Sequence, residues 1–201
     1  MDDRQKQILL RTARDSVEAV ITNRSIPKPE SDQTELNAHC GCFVTLKNRG
    51  RLRGCIGRFT SDVPLIELVA EMAKESATGD PRFMANPITA GELRQLDIEI
   101  SVLSPLKRTD DPLSLRLGAD GIYIKKGFAS GCFLPQVATE TGWSKEQFLS
   151  RCCAHKAGLP ADAWKDPDAE VYLFTAEIFG AALEAIGPSQ PTDSPNPSQN
   201  D

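Results

Sequence analysis

The sequence predicts an α+β fold, a mainly antiparallel sheet with helices packed on it. Two stretches, 39–58 and 121–133, read as β-hairpins, each with glycine available at its turn. Residues 96–103 alternate between apolar and polar, which is the pattern of a half-buried strand. Helical stretches separate these strands without the strand–helix–strand rhythm of a doubly wound parallel sheet.

Taken in order, residues 4–22 predict an amphipathic helix, with Leu10, Ala13, Val17, Val20 and Ile21 recurring at helical spacing. Pro27 and Pro29 mark a loop. The run HCGCFVTLKN leads through Asn48-Arg49-Gly50 into RLRGCIGR. Pairing around Arg49 sets Lys47 opposite Arg51, Thr45 opposite Arg53 and Phe43 opposite Cys55. Cys42, Val44, Leu46, Leu52 and Ile56 then share the core face, and Phe43, Thr45, Arg51, Arg53 and Cys55 the other.

A helix from about 62 to 77 follows, with Pro64 in its first turn and Leu65, Leu68, Val69, Met72 and Ala73 as its apolar stripe. Gly79-Asp80-Pro81-Arg82-Phe83 must turn. Thr89 and Glu92 have capping-box spacing. In 96–103, Leu96, Ile98, Ile100 and Val102 point inward, and Asp97, Glu99 and Ser101 outward. Helices are predicted near 136–140 and over 144–157, the second opened by Ser144 with Gln147 and closed by Gly158. Residues 170–179 are apolar on both faces, as in a covered strand.

With 201 residues, 40% of them apolar, the chain can bury a substantial core. One domain is expected over 1–186. The tail 187–201, rich in Pro, Ser, Asn, Asp and Gln, is expected to be disordered because it has too little apolar surface to bury. No apolar run approaches the roughly 20 residues of a membrane span. The N-terminus lacks the basic-then-apolar layout of a signal peptide, so the expected location is cytoplasmic. Six cysteines are too few for a disulfide scaffold and are read as thiols. A net charge of −5 argues against broad nucleic-acid binding.

The run Leu52-Arg53-Gly54-Cys55-Ile56-Gly57 resembles the LRGCIG signature of the AMMECR family, also called AmmeMemoRadiSam system protein A. GCFVTLKNRG, Asp80-Pro81-Arg82-Phe83, IEISVLSP, GIYI, FLPQVATETGW and KAGLP match the same family in order, over about residues 5–182. The resemblance implies an α+β domain of two unequal lobes with a cleft near the LRGCIG hairpin. It also implies association with Memo-type proteins and radical SAM (S-adenosylmethionine) enzymes. It implies no established reaction.

Cys55 is the first candidate for chemistry. The expected register sets it beside Arg53 at i and i+2, about 7 Å along the strand. A cation there would favour the thiolate by about 2 kcal/mol at an effective dielectric near 20. No histidine base stands nearby in sequence. The competing reading is a small buried cysteine between glycines that exist for a bulge or a close approach. A bulge at Gly54 or Gly57 would also reverse the assigned faces.

Lys47, Arg49, Arg51, Arg53 and Arg58 form a basic strip that, with amides freed by Gly54 and Gly57, is suited to a phosphate or carboxylate. A solvated strand face is the plainer reading. Asp80, Arg82, Glu99, Ser101 and Gln136 lie in family-matching stretches and are candidate cleft residues. Asp80 and Arg82 would equally pair within a turn. His39, Cys40 and Cys42, with Cys152, Cys153 and His155, are soft-ligand clusters, but they fall on a strand and a helix stripe rather than on the tight turns zinc favours. Neither a metal nor a cofactor is expected.

Three functions are expected. The favoured one, given the partners that the resemblance implies, is a ligand-binding or accessory subunit for Memo-type and radical SAM proteins, holding a small anionic ligand. The others are an enzyme with Cys55 as nucleophile, and a nucleic-acid module using the basic hairpin.

Overall fold

The computed structural model describes residues 1–187, so the expectation of a disordered tail falls outside the described residues except at Gly187. Helix α1, Asp3–Ile21, is opened by an Asp2 capping box with Gln5. The first hairpin pairs β1, Cys42–Asn48, with β2, Arg51–Arg58. Helix α2 runs Leu65–Thr78, starting three residues later than the sequence suggests because Pro64 is its N-cap. Strand β3 is Leu96–Leu103 and β4 is Lys107–Thr109. The second hairpin joins β5, Asp120–Lys126, to β6, Ala129–Phe133. Helix α3, Pro135–Thr141, precedes α4, Lys145–Cys152, which continues as a π-helical turn to Ala157 and stops at left-handed Gly158. Strand β7, Glu170–Ala182, ends the sheet.

Among the described residues the strands form one curled antiparallel sheet, ordered β2-β1-β3-β7-β5-β6, with β4 also on β7. Strand β7 belongs to both halves. Residues 176–182 pair with β3, and residues 170–175 pair with β5. Two apolar cores follow from that division. The larger packs α1 and α2 on Val44, Leu46, Ile98 and Ile100. The smaller packs Phe148, Leu149, Cys152 and Trp164 on Ile122, Ile124 and Phe133.

The hairpin corrects the expected register. Arg49 and Gly50, with φ of 51° and 77°, form a two-residue turn that pairs Asn48 with Arg51. Arg53 then has no opposite residue, because Lys47 faces Leu52 while Leu46 faces Gly54. This bulge sets Thr45 opposite Cys55 and Phe43 opposite Gly57, in place of the expected Arg53 and Cys55. Leu52, assigned to the core, is 37% exposed. Arg53 leaves the Cys55 face. Cys55 stays on the face expected of it, because the two-residue turn and the bulge each shift the pairing by one residue in the same direction, and a shift of two keeps the face.

Candidate functional site

Adjacent β-strands lie about 4.8 Å apart, and side chains of directly paired residues share a face. Across four strands one row reads Cys55, Thr45, Glu99, Gly180. The next reads Gly57, Phe43, Ser101, Ile178. Cys55, Glu99 and Ser101 thus sit on one non-core face, with Thr45 between the thiol and the carboxylate. Thr45 Oγ1 donates to Cys55 Sγ at 3.3 Å, and Lys47 Nζ reaches Glu99 Oε2 at 3.1 Å. Ser101, expected outward, is 2% exposed. It is paired with Phe43 on one side and Ile178 on the other.

Cys55 lies on the outer strand β2, where backbone groups need a partner. Asp80 supplies one: its Oδ2 accepts the Cys55 N–H at 2.9 Å. Arg82 supplies the other, donating to the Cys55 carbonyl at 3.3 Å while binding Asp80 at 2.6 Å. The Arg82 guanidinium, with help from the Cys55 and Arg82 backbone N–H groups, lowers the Asp80 carboxyl to about 2 against the cost of burial. Asp80 and Arg82 therefore pair within a turn, as one reading expected, and also hold Cys55 in place.

Gly54 faces the other way. A Cβ there would sit 1.8 Å from the Ser76 carbonyl oxygen, so α2 packs directly on this backbone. Ser76 Oγ accepts from Ile56 N–H and donates to the Val44 carbonyl. Gly57 lies under the Phe43 ring, 2.3 Å from a would-be Cβ. Both glycines serve close approach, as the plainer reading holds.

Arg53 is bound by Glu92 through Nε and Nη2, at 3.0 and 3.1 Å, and caps the carbonyls of Asn86 and Pro87. Glu92 also accepts from Asn48 and from Thr89 N–H, completing the expected capping box. Its carboxyl is lowered chiefly by Arg53. Arg58 pairs with Glu71 on α2 and stands opposite Cys42. Three of the five strip cations are thus neutralised, while Arg49 and Arg51 make no ion pair among the described residues. Gln136 begins α3 in the second lobe. Its Oε1 is buried without a hydrogen-bond partner among the described residues, and no hydrogen bond joins it to the Cys55 face.

The sequence reading missed how the second lobe meets this face. Phe59, just past β2, packs on Phe43 and Tyr123 at 5.2 Å each and on Phe174 at 5.9 Å. Tyr123 pairs across β5 with Cys132 and with Tyr172. Burial pushes the Cys132 thiol up to about 12; Lys156 opposes this and the Cys55 thiol adds to it. The alternation in GIYI sets Tyr123 apart from the core pair Ile122 and Ile124, and it was the one available signal. Cys42, Cys152 and Cys153 are core residues, whereas His39 and His155 are exposed. Among the described residues no three His, Cys, Asp or Glu side chains converge as for a metal. None of their helices is long and apolar enough to cross a membrane.

The AMMECR1 family profile matches residues 10–179. The chain belongs to the AMMECR1 family. A protein of Thermococcus gammatolerans is 44% identical over 189 residues, covering 88% of this chain and 90% of its own. A protein of Methanothermobacter thermautotrophicus is 42% identical, covering 85% and 91%. The crystal structure of uncharacterized protein PH0010 from Pyrococcus horikoshii superposes with a TM-score of 0.80 at 41% identity, covering 90% of this chain and 93% of that one. The AMMECR1 fold is therefore α+β with a curled antiparallel sheet, as the motif resemblance implied.

Proposed function

We propose that this AMMECR1 chain is a binding or accessory subunit that presents a small ligand at the Cys55 face to a Memo-type or radical SAM partner. The supporting observation is the clamp on Cys55. Asp80 and Arg82 satisfy both backbone groups of a half-exposed residue and keep its thiol against Thr45, on the same sheet face as Glu99 and Ser101. A binding face needs such fixed polar groups, whereas nucleophilic catalysis needs a base within reach of the thiol. Both histidines are exposed, and neither makes a hydrogen bond to Cys55 among the described residues. A ligand carrying an anionic group fits Arg82 Nη1, which makes no hydrogen bond among the described residues, and one with a hydroxyl or amine fits the Glu99 edge.

Capture on the full chain under reducing, anaerobic conditions tests this reading with Memo-type and radical SAM proteins as prey. Retention of either class is expected, with loss for Arg82→Ala. Failure of both classes to bind defeats the accessory role.

A second reading, a cysteine-nucleophile enzyme, draws on the Thr45 hydroxyl that donates to Cys55 Sγ. It requires a covalent adduct on Cys55 during turnover, which intact-mass analysis would detect. The nucleic-acid reading has less behind it, because Glu99, Glu92 and Glu71 already occupy Lys47, Arg53 and Arg58.

A further inference from the structure

A hollow of 430 Å³, within the size range of small-molecule sites, is lined by no residue of the LRGCIG hairpin. Its walls are α1, the 3-10 turn at Ala90–Gln95 and the last described turn at Leu183–Ala185. Arg14, Arg24 and Arg94 line it together with Glu18 and Glu184.

These arginines are unequally engaged. Arg14 is held by two hydrogen bonds, its Nε on Glu18 at 2.9 Å and its Nη1 on the Ile186 carbonyl, with its side chain 18% exposed. Arg24 Nη2 stands 3.9 Å from the same carboxylate, beyond a hydrogen bond, with its Nε on Thr22. Arg94 makes no ion pair among the described residues. The lining thus sets three guanidiniums against two carboxylates, an excess of one positive charge, and the guanidinium fork is shaped to bind an oxyanion.

We propose that this hollow binds a small phosphate-bearing anion, gripped by Arg14, Arg24 and Arg94. The site is separate from the Cys55 face and does not depend on the function proposed for it. Phosphate is favoured over a monocarboxylate because its several oxygens can serve more than one fork at once. Residues 188–201 supply a competing source of negative charge, since they carry Asp193 and Asp201 and no basic residue.

Titration of the full chain with inorganic phosphate, at constant ionic strength and with acetate as control, tests the assignment. Saturable binding is expected, with shifts in the NMR signals of the Arg14, Arg24 and Arg94 side chains and no competition by acetate. Arg24→Gln combined with Arg94→Gln should weaken binding by at least about tenfold, or 1.4 kcal/mol, while leaving the ligand-free melting temperature unchanged. Neither residue holds the fold, so loss of folding is not the expected cause. A non-saturating response, unchanged affinity in the double variant, or shifts confined to Arg82 would overturn the site. So would a marked tightening of phosphate binding in Asp193→Asn with Asp201→Asn, because the hollow would then belong to the chain's own acidic segment.

Discussion

Asp80 stands to Cys55 as a neighbouring strand would. Its carboxylate takes the Cys55 N–H at 2.9 Å, and its partner Arg82 gives a hydrogen bond back to the Cys55 carbonyl at 3.3 Å. Two side chains thus close the part of the sheet edge where Cys55 lies. This arrangement ties the turn 79–83 to the motif, and it makes the placement of Cys55 depend on a charge.

That charge has a pH signature. The Asp80 carboxyl ordinarily titrates near 3.8, and Arg82 with the backbone donors lowers it to about 2 in the folded chain. A depressed carboxylate contributes stability that is fully present above its unfolded value and is lost as pH falls through the folded one. The window therefore runs from about pH 4 down to about pH 2, and the contribution is about 2 kcal/mol. Urea midpoints of the wild type should fall across that window more steeply than those of Asp80→Asn. Parallel curves would show that the clamp contributes nothing.

The bulge at Arg53 shows where the sequence was legible and where it was not. Strand β3 and the two hairpins could be read from alternation, and β3 has the expected bounds, Leu96–Leu103. The hairpin register could not, because Asn48-Arg49-Gly50 fits either a one-residue or a two-residue turn until the φ of Arg49 is known. Arg53 looked like a neighbour of the thiol only under the wrong register. Its true partner, Glu92, is 39 positions away and was visible only as half of a capping box. Glu99 and Ser101 were placed on the correct face by periodicity alone. Phe59 and Cys132 were missed because contact between lobes has no period.

Arg53 should resist conservative replacement. Its fork engages both oxygens of Glu92 and two loop carbonyls, a geometry lysine cannot reproduce. Arg53→Lys is expected to cost about 1–3 kcal/mol and to speed hydrogen exchange in residues 86–92. Exchange rates there equal to wild type would mean that the fork is dispensable.

Gly54→Ala is a test of packing alone. Its Cβ would meet the Ser76 carbonyl oxygen at 1.8 Å, and a backbone atom cannot move aside without shifting α2. A loss of about 3 kcal/mol or more is expected. Gly91→Ala, with nothing closer than 3.9 Å, should stay within about 0.5 kcal/mol of wild type. Chemical denaturation of the pair compares them directly, and similar midpoints would refute the close approach.

Thiol labelling distinguishes the cysteines by environment. Burial raises Cys42 and Cys152 far above the ordinary thiol range and Cys132 to about 12, and it raises Cys40 as well. Cys55 is half-exposed beside Thr45 and the Arg82 guanidinium. Iodoacetamide on the native chain near pH 8 should therefore modify Cys55 first, with the core thiols reacting only after denaturant is added. Phe59→Ala removes the ring that joins Phe43 to Tyr123, and it should bring Cys132 into the fast group together with Cys55. Peptide mapping by mass spectrometry reads both results. Early modification of Cys42 or Cys152, or a Cys132 rate unmoved by Phe59→Ala, would show that the lobes are not held together at this aromatic contact.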